Sequence, residues 1–300
     1  LNGYLRELFG GKTIKIALDA GLTCPNRDGT AGKGGCIFCG GQGSGEFTFS
    51  HIKSITEQFS LYRESIRKKW PTARYIAYFQ SFSNTYGDID YLRRIYYEAM
   101  SMEGVCALSI ATRPDCLNDS VIELLREVKD KTYLFVELGF QTSNENTAKL
   151  INRCYKNDVY EEAVRKLKSI GANVITHVIL GLPHENMSDM QNTVKYAVNC
   201  GTDGIKLHEL FVLYKTVLAD MYASGEFETL LFDEYVDTVV NCLEIIPEHI
   251  VIHRLTGDAP RGEIVAPLYS IKKFHILNAV DTELLRRDTW QGKRFLKPFV

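Results

Sequence analysis

The chain has 300 residues, 45% of them hydrophobic and 24% charged, so it is long enough for one large or two ordinary globular domains. A formal net charge of -2 excludes a protein that holds polyanions over its whole surface, and any nucleic-acid contact needs a local basic patch. The apolar runs are too short to span a membrane, and residues 1–12 lack the apolar core of a secretory signal, so we expect a cytoplasmic protein.

Short β-branched or aromatic runs alternate with amphipathic helical stretches along the chain. The predicted strands are, in order, 15–20, 74–81, 105–112, 132–139, 172–181, 204–211 and 249–255. The predicted helices are 51–69, 88–103, 118–128, 143–151, 158–170, 187–200, 230–246 and 270–287, and Asp88, Asn118 and Ser188 mark helix starts. Repeated strand–helix units with continuously apolar strands indicate an α/β fold whose parallel sheet is covered on both faces, as in a barrel or a doubly wound sheet.

Polar side chains recur at or just after the predicted carboxyl ends of the strands. They are Gln80, Arg113, Glu137, Gln141, His184 and His208. The carboxyl ends of parallel strands share one edge, and that edge carries the chemistry in such folds. We therefore expect these residues at one mouth of the sheet.

Three of the eight cysteines lie in the glycine-rich stretch "AGLTCPNRDGTAGKGGCIFCGGQGSG", residues 20–45. In a reducing compartment, clustered cysteines bind metals or act in catalysis more often than they form disulfides. Cys36 and Cys39 are spaced to chelate one ion or cluster, and the glycine-rich spacer allows Cys24 to join them. Structural zinc needs four ligands, whereas a 4Fe-4S cluster held by three cysteines keeps one iron open.

Other interpretations of this stretch are weaker. His51 is a candidate fourth ligand for a structural zinc ion. A redox pair of Cys36 and Cys39 would normally open a helix, and "IFCGGQGSG" does not look like a helix start. The glycines do not match the dinucleotide-binding fingerprint, because Glu46 stands where its last glycine is required.

Several motifs in consecutive order resemble one family. They are "CPNRDGT" with "GGCIFC", "FQSFSNTY", "ATRPDCL", "VELGFQT", "ILGLPHE" and "GIKLHEL". The chain resembles the radical S-adenosylmethionine (SAM) superfamily, and within it a bacterial family similar to the radical SAM half of the Elongator catalytic subunit. The resemblance implies a partial (β/α)6 TIM-like radical SAM barrel over residues 1–256 and a C-terminal extension over 257–300 that packs on it.

The resemblance also implies the cofactors, a 4Fe-4S cluster and SAM, and the residues that bind them. Three irons of the cluster would be held by Cys24, Cys36 and Cys39. The adenine of SAM would lie beside Phe38, Leu180 and Gly181, and its ribose would be bound by Glu137 and Gln141. The methionine amino group would be received by Gln80 and Ser81, and the methionine carboxylate would pair with Arg153. At Gln80 and Ser81 the family usually has a Gly-Gly-Glu segment, so the resemblance does not fix the contacts there.

These residues also have structural interpretations. Glu137 is a candidate partner of Arg113 in a buried ion pair, and Arg153 is a candidate surface residue. Gly181 and Pro183 fit a turn at the end of a strand.

Lys206 and His208 are the candidate catalytic residues on the substrate side. They lie two residues apart on one predicted strand, so their side chains face the same side, which in a barrel is the interior. His177 stands alone in an apolar strand and is better explained as a hydrogen-bonded core residue. The five cysteines outside the loop lack ligand spacing, and most of them are predicted to be buried small hydrophobes.

The reaction implied by the resemblance begins with one electron from a flavodoxin- or ferredoxin-type donor. SAM is then cleaved to methionine and a 5'-deoxyadenosyl radical, which abstracts a hydrogen atom from the substrate.

Stretches 63–74 and 286–298 mix Arg and Lys with Trp, a pattern that suits RNA but is also typical of a solvated face. The resemblance to the Elongator subunit implies modification of the wobble-uridine side chain of tRNA. The alternatives are a small-molecule or peptide substrate, and a zinc-stabilised binding protein without catalysis.

Overall fold

The computed structural model describes residues 1–41, 43, 54–258 and 262–295. His51, Glu46 and the end of the 286–298 stretch therefore lie outside the described residues. The described helices and strands are, in chain order, α1 Asn2–Phe9, β1 Thr13–Leu18, α2 Pro25–Asp28, α3 Ile55–Arg67, β2 Arg74–Phe79, α4 Ile89–Met100, β3 Val105–Thr112, α5 Asp119–Lys129, β4 Tyr133–Gln141, α6 Glu145–Leu150, α7 Asn157–Ser169, β5 Asn173–Leu180, α8 Met187–Asn199, β6 Gly204–Glu209, β7 Val212–Leu213, α9 Val217–Ala223, α10 Phe232–Ile245, β8 Val251–Arg254, β9 Ile264–Ala266 and α11 Lys273–Arg286.

The predicted helix starts are confirmed at two positions and wrong at one. The Asp88 carboxylate accepts hydrogen bonds from the Asp90 and Tyr91 amides in the first turn of α4, and the Asn118 side chain accepts one from Val121 N in α5. For α8 the prediction of Ser188 is wrong: the cap is Asn186, whose side chain accepts from the Ser188 and Asp189 amides. The Asp189 carboxylate in turn accepts from the Asn186 amide, so a capping box closes this helix end.

Seven strands form one sheet in the order β1-β2-β3-β4-β5-β6-β8. The pairs β1–β2, β2–β3, β3–β4 and β6–β8 are parallel, as the repeated strand–helix pattern predicts. β7 and β9 form a separate antiparallel pair that the sequence did not predict. β4 continues to Gln141, so Glu137 lies within this strand and not at its end.

The chain divides into two compact units. Unit 1 comprises Leu1–Gly34, Gly41–Gly139 and Asp158–Ile175, and unit 2 comprises Gly35–Gly40, Phe140–Asn157 and Thr176–Val300. In unit 1, Leu5 and Phe9 of the unpredicted α1 pack against Ile76 and Phe135 of the sheet. Burial of each such side chain stabilises the fold by about 1.5–3 kcal/mol, so α1 contributes to the core of this unit.

Two apolar clusters are found among the described residues of unit 2. The larger one joins β5 and β6 to α8, α10 and α11, and α11 contributes Ile276 and Val280 to it. The smaller one contains Ile151, Leu182, Val212, Leu218 and other buried side chains, and the half-buried Ile37 and Phe38 pack against it. The spacer of the Cys36–Cys39 pair is therefore anchored in an apolar cluster of unit 2.

Candidate cluster and cofactor site

Cys24 follows β1 in unit 1 and begins an ordered segment. Its backbone is extended, with φ -133° and ψ 133°, and it stands at the N-cap of the short helix α2. Its carbonyl accepts hydrogen bonds from Arg27 N at 2.8 Å and Asp28 N at 3.2 Å. Gly29 ends the helix at a φ of 96°, a left-handed value that favours glycine. Part of the glycine-rich spacer is thus a helical turn, which the sequence did not predict.

Cys36 and Cys39 form a tight turn in unit 2. The Cys39 amide donates to the Cys36 carbonyl at 2.9 Å. Between them, Ile37 N donates to Ile151 O at 3.2 Å, and Ile37 O accepts from Leu218 N at 3.0 Å. The turn is therefore fixed by backbone hydrogen bonds on both sides of Ile37.

The three thiols fit an iron–sulfur cluster by their chemistry. Cys24, Cys36 and Cys39 are half-buried, and no disulfide links any of the eight cysteines, all of which are among the described residues. Thiolates are the usual ligands of such clusters. The described part of the chain contains no group of three or more His, Cys, Asp or Glu side chains arranged to hold a metal ion. Cluster ligation by these three residues stays a prediction.

The other five cysteines differ in burial. Cys116 and Cys242 are buried, as predicted, and Cys106 and Cys200 are half-buried. Cys154 is exposed, so the prediction that most of these five cysteines are buried is wrong. It follows Arg153 in the segment that connects α6 to α7, and its thiol donates to Asn152 Oδ1 at 3.1 Å.

Glu137 lies in a charged and polar group inside unit 1. It is 0% exposed, and its Oε1 accepts hydrogen bonds from Lys15 Nζ and, at 2.6 Å, from Ser109 Oγ. The Lys15 ammonium also lies 4.8 Å from the centre of the Tyr78 ring. Arg113, the predicted partner of Glu137, forms a bidentate pair with Asp115. The sequence analysis missed Lys15, although a lysine at the start of the apolar run "KIALDA" was its signal.

The segment that contains Gln80 and Ser81 is held by Asn84. Ser81 is buried and Gln80 is half-buried. The Asn84 amide group donates to Phe79 O at 3.1 Å and to Ala111 O at 2.9 Å, so it ties the ends of β2 and β3 together. The motif "FQSFSNTY" therefore has a structural asparagine that sequence reasoning did not single out.

Arg153 is buried in unit 2, so its interpretation as a surface residue is wrong. It is 1% exposed, and its guanidinium donates to Phe140 O at 3.2 Å, Thr142 O at 2.6 Å, Tyr155 O at 3.0 Å and Asn157 Oδ1 at 2.9 Å. These bonds fix the end of β4, where the half-buried Gln141 has a φ of 66°. SAM contacts of Arg153 and Gln141 remain predictions.

The segment after β5 combines a required glycine with a half-buried acid. Gly181 has a φ of 87°, a left-handed value that favours glycine, and a Cβ there would also lie 3.0 Å from the Leu230 side-chain Cγ. Leu180 is buried in the larger apolar cluster of unit 2. Burial raises the pKa of Glu185 to about 7, and the Thr142 hydroxyl donates a hydrogen bond to it. Sequence reasoning passed over Glu185 although it ends the quoted motif "ILGLPHE".

The candidate catalytic residues Lys206 and His208 lie on β6 in unit 2. Lys206 is 5% exposed, and His208 is half-buried. The ring of His208 lies 5.3 Å from that of His177, centre to centre. The structure thus brings together two histidines that the sequence analysis treated separately, and the catalytic role of Lys206 and His208 stays a prediction.

The comparisons with known proteins identify the family. The model of the Radical SAM superfamily matches residues 24–197, and that of the Radical_SAM C-terminal domain matches residues 202–286. The chain belongs to the radical SAM superfamily. The predicted recognition is confirmed, and members of this superfamily bind a 4Fe-4S cluster and SAM, the two predicted cofactors.

Relatives of this radical SAM protein align along nearly the whole chain. It is 43% identical to YtqA of Bacillus subtilis, over 98% of this chain and 92% of that protein. It is 34% identical to YhcC of Escherichia coli, over 99% of this chain and 95% of that protein.

A solved structure shows the fold. The archaeal Elp3 of Methanocaldococcus infernus matches with a TM-score of 0.73 at 18% identity, over 94% of this radical SAM chain and 64% of that one. This confirms the predicted fold class, a partial TIM-like radical SAM barrel. The present chain spans less than two thirds of the Elp3 chain. Among the described residues, no helix is both long and apolar enough to cross a membrane.

Proposed function

We propose that the protein is a radical SAM enzyme that modifies a tRNA nucleoside, at the wobble-uridine side chain. The observation that carries the radical SAM part is the family match, which begins at Cys24 and includes Cys36 and Cys39. When bound, the cluster and SAM supply a one-electron cleavage that yields methionine and a 5'-deoxyadenosyl radical able to take a hydrogen atom from a substrate. A flavodoxin- or ferredoxin-type protein would provide the electron.

The residues of the chain have distinct tasks in this proposal. Cys24, Cys36 and Cys39 hold the cluster, and Phe38 lies against the adenine. Glu137 accepts hydrogen bonds from the ribose, and its position is set by Lys15 and Ser109. Lys206 and His208 act on the substrate side, where a buried cation and an imidazole can orient the substrate or move a proton.

The tRNA part is supported by the sequence similarity to Elongator complex protein 3 of Schizosaccharomyces pombe, 29% identical over 51% of this chain and 28% of that protein. The stretch 63–74 adds a physical argument. Trp70 is 37% exposed, and the ammonium groups of Lys12 and Lys69 lie 5.2 and 5.8 Å from its ring centre. An aromatic face flanked by cations can stack on a base and contact phosphates.

A small-molecule or peptide substrate is the second candidate, and it is favoured by the ion pairs in the other basic stretch, 286–298. Arg286 and Arg287 pair with Glu283, and Arg294 pairs with Glu244. Each of these cations has a carboxylate partner within the fold, so it offers less net charge to a phosphate than a lysine beside no acid. This candidate predicts SAM cleavage that a metabolite stimulates and tRNA does not.

The test is anaerobic reconstitution with iron and sulfide, followed by dithionite and SAM. We expect the absorbance of a cluster at about 400 nm and release of 5'-deoxyadenosine. Cys24→Ala, Cys36→Ala and Cys39→Ala should each lose both signals, whereas Cys200→Ala, a half-buried thiol at the end of α8, should keep them. A colourless wild-type protein would overturn the proposal. Mass spectrometry of tRNA nucleosides from a strain without the protein tests the substrate, since an unchanged nucleoside profile contradicts tRNA modification.

A further inference from the structure

The loop of Cys36 and Cys39 rests on the segment 151–154, Ile-Asn-Arg-Cys. The Asn152 side-chain Nδ2 donates to Gly35 O at 2.7 Å. Ile37 N donates to Ile151 O at 3.2 Å. Both contacts lie in unit 2. The residues directly before and after Cys36 are thus each held by this segment.

Asn152 has an unusual backbone conformation for this task. Its φ is 56°, in the left-handed region that residues other than glycine seldom adopt. Asparagine tolerates this region better than most residues. Cys154, with a φ of 64°, donates its thiol hydrogen to Asn152 Oδ1 at 3.1 Å. This bond identifies Oδ1 as the acceptor end of the amide and leaves Nδ2 for Gly35 O.

We propose that Asn152 is a positioning residue that holds the backbone of Gly35, and through it Cys36, in the conformation that binds the cluster. This inference rests on the proposed function, because it takes Cys36 and Cys39 as cluster ligands. The physical reason is local. Gly35 and Gly34 both have positive φ values, 82° and 79°, and glycine loses more backbone freedom on folding than any other residue. One side-chain hydrogen bond to Gly35 O removes part of that freedom.

The first test uses the metal-free, reduced full chain and needs no cluster. Iodoacetamide alkylation of each cysteine is followed by peptide mass spectrometry in wild type, Asn152→Asp and Asn152→Gly. Aspartate keeps the shape and the tolerance of a positive φ but puts an acceptor opposite the Gly35 carbonyl, and glycine removes the side chain without backbone strain. We expect Asn152→Gly, which adds no charge, to raise the alkylation rate of Cys36 about fivefold, the effect of removing one hydrogen bond on a local opening equilibrium. Because the thiolate is the species that reacts, Asn152→Asp is compared with wild type at a pH high enough to ionise the thiol fully in both proteins, where the same rise is expected.

Two controls make the result decisive. Asn192→Asp is the same substitution at an exposed position of α8 in unit 2 and should match wild type. Cys242 is fully buried and reports global unfolding. A Cys36 rate in the Asn152 variants equal to that of Asn192→Asp overturns the proposal. A parallel rise at Cys242 also overturns it, because the effect is then on the whole fold.

The second test loads the cluster and measures how long it persists. After anaerobic reconstitution, Asn152→Asp should lose iron to a chelator about fivefold faster than Asn192→Asp. Equal iron loss beside faster Cys36 alkylation would overturn the positioning role and leave the proposed function intact. A wild-type protein that takes up no cluster would overturn the proposed function, whereas the alkylation result for Asn152 would remain valid.

Discussion

The ion pair between Lys15 and Glu137 contributes to the stability of the fold. Lys15→Met leaves the Glu137 carboxyl, 0% exposed, buried without its cation, and breaking such a pair costs about 3–5 kcal/mol. We expect the free energy of unfolding in urea to fall by about 3 kcal/mol, since Lys15 is partly solvated and Ser109 still donates to Glu137. The double variant Lys15→Met/Glu137→Leu should recover most of this decrease. A single variant as stable as wild type would show that the pair contributes nothing.

The raised pKa of Glu185 predicts that the free energy of unfolding depends on pH. Burial raises its pKa from 4.5 to about 7, so the folded state binds this proton more tightly than the unfolded state. Below about pH 4.5 Glu185 is protonated in both the folded and the unfolded state and does not lower the free energy of unfolding. As the pH rises through 7, the unfolded state loses this proton more readily, and the free energy of unfolding falls. Glu185→Gln should therefore match wild type near pH 4.5 and exceed it by up to about 3 kcal/mol at pH 8, measured by urea unfolding. A stability difference that does not change with pH would show that Glu185 does not titrate in this range.

Asn186 and Ser188 at the start of α8 can be compared to test which residue caps this helix. Asn186→Ala removes the acceptor for the Ser188 and Asp189 amides, and this change costs about 1 kcal/mol. Ser188→Ala is the matched control, because Ser188 stands inside the helix and should change the free energy of unfolding by less than about 0.5 kcal/mol. Urea midpoints of the two variants give the comparison. The reverse order would contradict the cap.

The elements that the sequence predicted best are those with a strong local signal. The strand 105–112 was predicted with its observed bounds, because β-branched and apolar residues fill it between turn signals. The helical turn α2 was missed because it is only four residues long and begins at a proline in a glycine-rich stretch. The Lys15–Glu137 contact joins residues 122 positions apart, and no local pattern encodes the register that brings them together. Asn152 was missed for the same reason, since its partner Gly35 lies 117 positions away.

The whole molecule has a net charge of -2, so tRNA binding depends on local groups of cations that can contact phosphates. Lys68 and Lys69 are exposed beside Trp70, whereas Arg286 is paired with Glu283. Lys68→Gln/Lys69→Gln should weaken tRNA retention on filters. The slope of log affinity against log salt should fall by up to about 2, because each lysine that neutralises a phosphate adds about 1 to that slope.

Arg286→Gln is the control for this experiment, because its charge is already offset within α11. It should leave both the affinity and the salt slope close to wild type. If the two variants weaken retention equally, tRNA contacts the C-terminal stretch as well, and the internal ion pairs there open on binding. If wild type shows no retention even at low salt, the available cations do not form an RNA surface, and the small-molecule substrate becomes the better explanation of the same radical chemistry.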